Sequence, residues 1–169
     1  MILHLKTNFM ITTINVFFKI YLLAVAIPVY SCNASEPKIN PDLEEAKKAI
    51  AESNAIYFQA FAKGDSSIFI NSYATDCCIM APGVPALCGE NAALDFFRTA
   101  YYEIGLRDGK FITTDVFGDG KEFVTEVGLW QSFDAERKMF DNGKFLVLWK
   151  KTPGGWKMFQ DSFSSDHNK

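Results

Sequence analysis

The sequence predicts one α+β domain in which helices pack on one face of a curved antiparallel sheet. Two patterns carry this prediction: apolar residues recur at helical spacing over residues 43–104, and they alternate with polar residues from residue 111 onward. Glycine-containing turn signals divide the alternating half into successive strands. Helices followed by a meander of strands are typical of an α+β domain.

The first helix is predicted to begin at Asn40-Pro41 and to end at Gly64. Asn is a favoured N-cap, Pro suits the first turn, and acidic residues follow where the helix dipole is positive. Asn54 is the polar member of its apolar stripe. The apolar members of the stripe are Leu43, Ala46, Ile50, Tyr57, Phe58 and Phe61.

Two further helices are predicted before the strands. Asp65 caps a short one, which carries Ile68, Ile70 and Tyr73. The third begins at residues 89–90 and ends at Gly105, since glycine commonly follows the end of a helix. Its inward residues are predicted to be Ala93, Phe96, Phe97, Ala100, Tyr101 and Ile104.

Four strands are predicted over residues 111–117, 123–133, 145–149 and 156–163. The reversals between them are assigned to residues 118–120, 141–143 and 152–155, each of which contains glycine. An aromatic content of 15% suggests an interior lined by rings.

Residues 1–31 are predicted to be a signal peptide, residues 32–40 a polar tether and residues 41–166 the folded domain. Lys6 and Lys19 precede an apolar run over residues 20–29, which is shorter than the roughly 20 residues that a membrane-spanning helix needs. Cys32 resembles the acylated residue of bacterial lipoproteins, although Tyr30 stands where that motif prefers a small residue. We therefore expect an exported protein, periplasmic or at the cell surface, with a lipid anchor at Cys32. Simple secretion and a retained anchor remain alternatives.

Export would carry the cysteines of the domain into an oxidising compartment, where a disulfide persists. A turn at Pro82-Gly83 could bring Cys77 or Cys78 to Cys88. The alternative is that all three are small buried apolar side chains.

Composition excludes several function classes. The net charge of −3 offers no basic face for nucleic acid. The two histidines, His4 and His167, lie outside the predicted domain, which excludes a Ser–His or Cys–His nucleophile and a histidine-ligated metal. No metal site and no cofactor are predicted, so any proton transfer would use a carboxylate, a tyrosine or a thiol.

Several motifs, taken with the order of elements, resemble the cone-shaped fold of ketosteroid isomerase and the SnoaL-like polyketide cyclases, within the nuclear transport factor two-like superfamily. The resemblance is to an uncharacterised branch and covers residues 43–166. It implies a cone-shaped α+β barrel in which three N-terminal helices pack on a curved antiparallel sheet that encloses a pocket. The scaffold hosts isomerases, dehydratases, cyclases and binding domains, so the fold alone does not give the function. The motif residues are Tyr57, Ala60, Gly64-Asp65, Tyr73, Asp76, Pro82-Gly83, Gly89, Glu126, Gly128, Trp130, Gly143, Phe145, Trp149, Gly155-Trp156 and Asp161.

Asp161 is the most unusual candidate, because it is a carboxylate within an aromatic strand. The meander can place Asp161 and Glu126 on one concave face, where burial would raise the pKa of a carboxyl toward neutrality. Isomerases of this fold use a carboxylate as base and a tyrosine as oxyanion donor, which would make Asp161 or Glu126 the base and Tyr57 or Tyr73 the donor. The ligand-binding residues are predicted to be Asn54, Tyr57, Phe61, Tyr73, Phe97, Trp130, Trp149 and Phe163.

Two functions follow from these candidates. The first is a protein that binds a small apolar or aromatic ligand in its pocket. In such a protein Asp161 either faces the ligand or only accepts a hydrogen bond from Tyr57, Asn54 or Trp130 and so joins helix to sheet. The second is a cofactor-free isomerase, dehydratase or cyclase. The helix-free face of the sheet is also expected to support a homodimer through Leu129, Phe133 and Leu148, or through the residues that alternate with them.

Overall fold

The computed structural model describes residues 40–167. The predicted signal peptide, most of the predicted tether and the lipidation candidate Cys32 lie outside the described residues. Among residues 40–167, every helix is too short or too polar to cross a membrane.

The helical part begins where the sequence indicates, because the Asn40 side chain accepts hydrogen bonds from the backbone N–H groups of Asp42 and Leu43. Gly64, with a φ of 65°, ends the second helix in the left-handed conformation that favours glycine. The helices are α1 (Pro41–Tyr57), α2 (Gln59–Lys63), α3 (Ser66–Ile70) and α4 (Ala92–Arg98), which continues as a π-helical segment over Thr99–Ile104.

Three details of the helical prediction are corrected. The first predicted helix is interrupted at Phe58, which separates α1 from α2. Tyr73 does not lie on α3 but begins the first strand. Ile104 does not face inward: it is 58% exposed, because the wider π-helical turn shifts the phase of the apolar stripe beyond Thr99.

Six strands form one sheet in the order β2-β1-β6-β5-β4-β3. All of the described helices precede β3 in the chain. The meander β3 to β6 is antiparallel as predicted, and the α+β fold class is confirmed. The sheet is open rather than closed, and β1, which the sequence analysis did not predict, pairs parallel to β6. The strands are β1 (Tyr73–Met80), β2 (Leu87–Cys88), β3 (Asp108–Gly118), β4 (Phe123–Phe133), β5 (Met139–Thr152) and β6 (Gly155–Ser165).

The reversal predicted at residues 141–143 is wrong. These residues lie within β5, and the chain turns instead at residues 134–138, where Asp134 accepts hydrogen bonds from the backbone of Glu136 and Lys138. Gly143 is required for a close approach rather than for a turn, since a Cβ there would lie 1.7 Å from the Ser164 carbonyl oxygen.

A disulfide joins Cys78 on β1 to Cys88 on β2, two residues that face each other across this antiparallel pair. Adjacent residues of a strand point to opposite faces. Cys77 therefore faces the core, where it is a buried free thiol. The alternative that all three cysteines are buried free thiols is therefore wrong for Cys78 and Cys88 and correct for Cys77.

Candidate functional site

Both candidate carboxylates lie in one transverse row on the inner face of the sheet. The pairing registers place Glu126 beside Val147, and Val147 beside Asp161. The row continues to Val116 on one side and to Ile79 on the other. Every member is buried, so two acidic groups are fixed about two strand spacings apart, roughly 10 Å, in an otherwise apolar row.

Asp161 is bound by a relay of two tyrosines. The Tyr73 hydroxyl donates to Asp161 Oδ2 at 2.6 Å, and the Tyr57 and Tyr73 hydroxyl oxygens are 3.0 Å apart. Because Tyr73 has a single hydroxyl proton and donates it to the carboxylate, Tyr57 is the donor to Tyr73. Helix α1, strand β1 and strand β6 are thereby joined through Asp161.

Burial sets the proton affinities of this relay. Desolvation raises the pKa of Asp161 from its ordinary value of 3.8 to about 6, and the charge of Glu126 raises it further, whereas the Tyr73 hydrogen bond lowers it. Desolvation and the nearby Asp161 also raise the pKa values of Tyr57 and Tyr73 well above their usual range. Both tyrosines are therefore neutral hydrogen-bond donors near pH 7.

Glu126 is held differently, because both of its oxygens already accept hydrogen bonds. Oε1 accepts from Asn54 Nδ2 at 2.7 Å and from Thr113 Oγ1 at 2.6 Å, and Oε2 accepts from Trp149 Nε1 at 3.0 Å. Burial raises the pKa of Glu126, and these three hydrogen bonds oppose the shift. Glu126 thus ties α1 to the sheet and influences Asp161 through its charge.

The partners expected for Asp161 are corrected by these contacts. Asn54 donates to Glu126, and Trp130 Nε1 donates to the Ser164 carbonyl oxygen at 3.1 Å. Tyr57 reaches Asp161 only through Tyr73. The sequence correctly placed Asp161 between helix and sheet but did not identify Tyr73 as its donor, because β1 was not predicted.

Asp161 lies in the wall of a cavity of about 70 Å³. Four of the phenylalanines that line it are half-buried: Phe58, Phe96, Phe111 and Phe163. The remaining lining residues are Tyr57, Leu106, Trp130, Ser132, Phe145 and Asp161. The lining is thus mostly apolar, and its polar side-chain groups are the Asp161 carboxyl and the hydroxyls of Tyr57 and Ser132.

The predicted ligand-binding residues divide into three groups. Tyr57, Trp130 and Phe163 line the cavity, whereas Tyr73 does not line it but is hydrogen-bonded to two residues that do, Tyr57 and Asp161. Asn54 lines a separate groove between α1 and β3. The three predicted residues that pack in the fully buried core instead are Phe61, Phe97 and Trp149.

Six lining residues were not predicted as ligand-binding residues from the sequence. Ser132 had a usable signal, because it lies two residues after Trp130 on the same face of β4. Phe58 and Phe96 were recognised only as helix-stripe residues. Leu106, Phe111 and Phe145 meet the others through long-range packing, which no local pattern reveals.

The described part of the chain holds no group of three or more His, Cys, Asp or Glu side chains that could bind a metal ion. The polar groups at the cavity are hydroxyls and one carboxyl, which are suited to hydrogen bonding and proton transfer.

Comparison with solved structures shows the fold. A ketosteroid isomerase-like protein from Erwinia carotovora atroseptica is similar with a TM-score of 0.60 and 18% identity, over 77% of this chain and 100% of that chain. An NTF-2 like protein of unknown function from Shewanella oneidensis gives 0.59 and 17%, over 70% and 98%. A hexachlorocyclohexane dehydrochlorinase, LinA type 2, gives 0.59 and 14%, over 76% and 90%.

No protein-family model matches the chain, and no curated protein matches it. The solved structures confirm that the chain has the ketosteroid isomerase-like, nuclear transport factor two-like fold that the sequence motifs indicated. At these identities the similarity concerns the fold alone.

Proposed function

We propose that the protein binds small aromatic molecules that carry one polar group, with the ring among the phenylalanines and the polar group at the Asp161–Tyr57 end of the cavity. The observation that carries this proposal is a single carboxyl group in the wall of a cavity lined otherwise by apolar and aromatic side chains and two hydroxyl groups. Among residues 40–167, the side-chain hydrogen bond to Asp161 comes from Tyr73 and reaches Oδ2. Oδ1 is then available to a ligand.

The protonation state of Asp161 selects the ligand's polar group. A neutral carboxyl donates to a carbonyl oxygen, whereas a carboxylate repels it. Because the pKa of Asp161 is raised to about 6, this change falls between pH 5 and pH 7. A ketone should therefore bind better on the acidic side.

Acetophenone is a suitable probe, since its ketone accepts hydrogen bonds and does not titrate. We expect its affinity to fall about tenfold from pH 5 to pH 7, following the protonated fraction of Asp161. Asp161→Asn keeps a donor at every pH, so its affinity should not change across this range. Calorimetric titration measures both. An affinity that is independent of pH in the unmodified protein, or no saturable binding, would overturn the proposal.

Proton transfer is the second candidate function, and the Tyr57–Tyr73–Asp161 relay favours it. A general base is most effective when its pKa lies near the working pH, and a pKa of about 6 approaches that condition. Asp161 would remove a proton beside a carbonyl, as the resemblance to isomerases implies. Tyr57, which lines the cavity, would have to redirect its hydroxyl proton from Tyr73 to the oxyanion. Glu126 is the weaker candidate because its two oxygens accept three hydrogen bonds. Deuterium exchange into the acetophenone methyl group that Asp161→Asn does not slow would contradict this role.

We also propose that the protein is exported and anchored by a lipid on Cys32. The support is the sequence of Lys19, a short apolar run and Cys32. In its native host the protein should fractionate with membranes, and Cys32→Ser should release it. A Cys32→Ser protein that remains equally membrane-bound would contradict the anchor.

We also propose that the protein forms a homodimer through the helix-free face of the sheet. Leu129 is 42% exposed and Leu146 is 48% exposed on that face, with the predicted Phe133 and Leu148 half-buried beside them. Pairing two such faces would cover this apolar surface. Sedimentation analysis should give a dimer that Leu129→Lys together with Leu146→Lys converts to monomer. A monomeric unmodified protein would remove this proposal.

A further inference from the structure

The cavity at Asp161 is small for a ligand site. About 70 Å³ falls well below the roughly 300–1,000 Å³ of typical ligand pockets. A larger space, about 440 Å³, lies between the last turns of α1 and residues 108–113 of β3. Phe58 and Phe111 line both spaces, so these two rings form the wall between them.

Phe58 is the part of this wall that the helices supply. It is half-buried and lies at the break between α1 and α2 in the αR conformation, where its carbonyl oxygen accepts hydrogen bonds from the backbone N–H groups of Phe61 and Ala62. Its ring packs at 4.9 Å from that of Phe111, between centroids, and rests directly on Gly109. A Cβ at Gly109 would lie 2.1 Å from Phe58 Cε1, so only glycine there leaves room for the ring in this position.

The groove also borders an unsatisfied hydrogen-bond acceptor. Asn54 Nδ2 must be the atom facing Glu126, because a carboxylate accepts and the amide nitrogen donates. Asn54 Oδ1 is therefore fixed on the other side, where it is buried and accepts no hydrogen bond from residues 40–167. An unsatisfied buried acceptor is unfavourable, and a ligand donor would satisfy it. Asn54 lies in the last turn of α1, four residues before Phe58, which directly follows this helix.

We propose that the cavity and the groove are two parts of one elongated site, divided by the Phe58 ring. Its ligand is a neutral aromatic molecule with a hydrogen-bond donor, such as a hydroxyl, at the end remote from the group that contacts Asp161. Displacement of Phe58 joins the two spaces and exposes Asn54 Oδ1 to that donor. Asp108 and Lys110 give the groove one charge of each sign, which favours an uncharged ligand. This inference rests on the proposed binding of aromatic molecules.

Three matched probes test it: acetophenone, 4-ethylacetophenone and 4-(2-hydroxyethyl)acetophenone. Phe58→Ala removes the ring, and Gly109→Ala displaces it without altering Phe58 itself. We expect both variants to bind the two long probes at least about tenfold more tightly than the unmodified protein, because the closed state no longer competes with binding. Because Phe58 also lines the cavity that holds acetophenone, that probe should bind the Phe58→Ala protein no more tightly than the unmodified protein, and the readout is the affinity of each long probe relative to acetophenone. Phe159→Ala, which truncates a half-buried phenylalanine on the outer face of the sheet, should change none of the three.

The donor is tested by the affinity ratio of the two long probes. In the Phe58→Ala background the hydroxyethyl probe should bind about fivefold or more tightly than the ethyl probe, the expected effect of one satisfied acceptor. Adding Asn54→Ala should remove this preference, and because the readout is a ratio, any general weakening of the site cancels.

The outcomes separate this inference from the proposed function. If acetophenone binds but neither Phe58→Ala nor Gly109→Ala favours the long probes, the elongated site is wrong and the cavity proposal stands. If the two long probes bind equally well, the donor to Asn54 is wrong. If acetophenone itself does not bind at any pH, the proposed function falls, and this inference falls with it.

Discussion

Replacing Gly143 by Ala should lower the free energy of unfolding by about 3 kcal/mol or more, since the close packing at this position cannot relax locally. A Cβ at this position would lie 1.7 Å from the Ser164 carbonyl oxygen and 3.0 Å from Trp130 Nε1. These two atoms are themselves joined by a hydrogen bond of 3.1 Å. The added methyl must therefore separate β5 from β6 where Trp130 holds the end of β6. Urea unfolding followed by tryptophan fluorescence measures the loss.

Gly154→Ala is the matched control. The nearest atoms to a Cβ there are 3.7 and 3.8 Å away, which is ordinary van der Waals contact in the turn between β5 and β6. We expect a change within about 0.5 kcal/mol, as for most surface substitutions. Equal stabilities for the Gly143→Ala and Gly154→Ala proteins would contradict the close approach of the two strands.

The free energy of unfolding of the Asp161→Asn protein, measured relative to that of the unmodified chain, should be higher at pH 8 than at pH 4. In the folded state burial raises the pKa of Asp161 to about 6, from an ordinary value of 3.8. A raised carboxyl pKa contributes stability that is fully present below the unfolded value and is lost as the pH rises through 6. At about 1.4 kcal/mol per pKa unit, the loss amounts to about 3 kcal/mol.

Asparagine does not titrate, and its side-chain oxygen can still accept from Tyr73. The other titrating groups are common to both proteins, so the stability difference between variant and unmodified chain isolates Asp161. This difference should grow from pH 4 to pH 7 and then level off. Unfolding curves at several pH values measure it, with the exposed Asp115→Asn as control. A difference that stays constant with pH would show that the folded state does not raise the pKa of Asp161.

The sequence predicted most of the fold because its local signals agree with its tertiary structure. The cap at Asn40, the end of helix at Gly64 and the alternation along β4 each have one physical cause, and each is confirmed. Residues 141–143 misled the prediction because Asp, Asn and Gly favour turns. There the need for glycine between β5 and β6 overrides that preference.

The candidate site was less predictable than the fold, because its contacts join residues that are far apart in the sequence. Asp161 could be recognised as unusual from the sequence of its own strand, because a carboxylate among aromatic residues is costly to bury. Its partner Tyr73 is 88 positions away, on a strand whose parallel pairing with β6 leaves no local mark. The Phe58 ring can separate the cavity from the groove because Gly109 leaves room for it. Gly109 is distant from Phe58 in sequence and has no side chain that would suggest this contact.

The most direct test of the account is a titration of the Asp161 carboxyl by carbon-13 NMR, with and without acetophenone. We expect a pKa of about 6 in the free protein. Tyr73→Phe should raise this pKa, because the Tyr73 hydrogen bond lowers it, and bound acetophenone should raise it too, because the ketone stabilises the neutral acid. An Asp161 carboxyl that titrates near 4 and does not respond to the ligand would contradict the account.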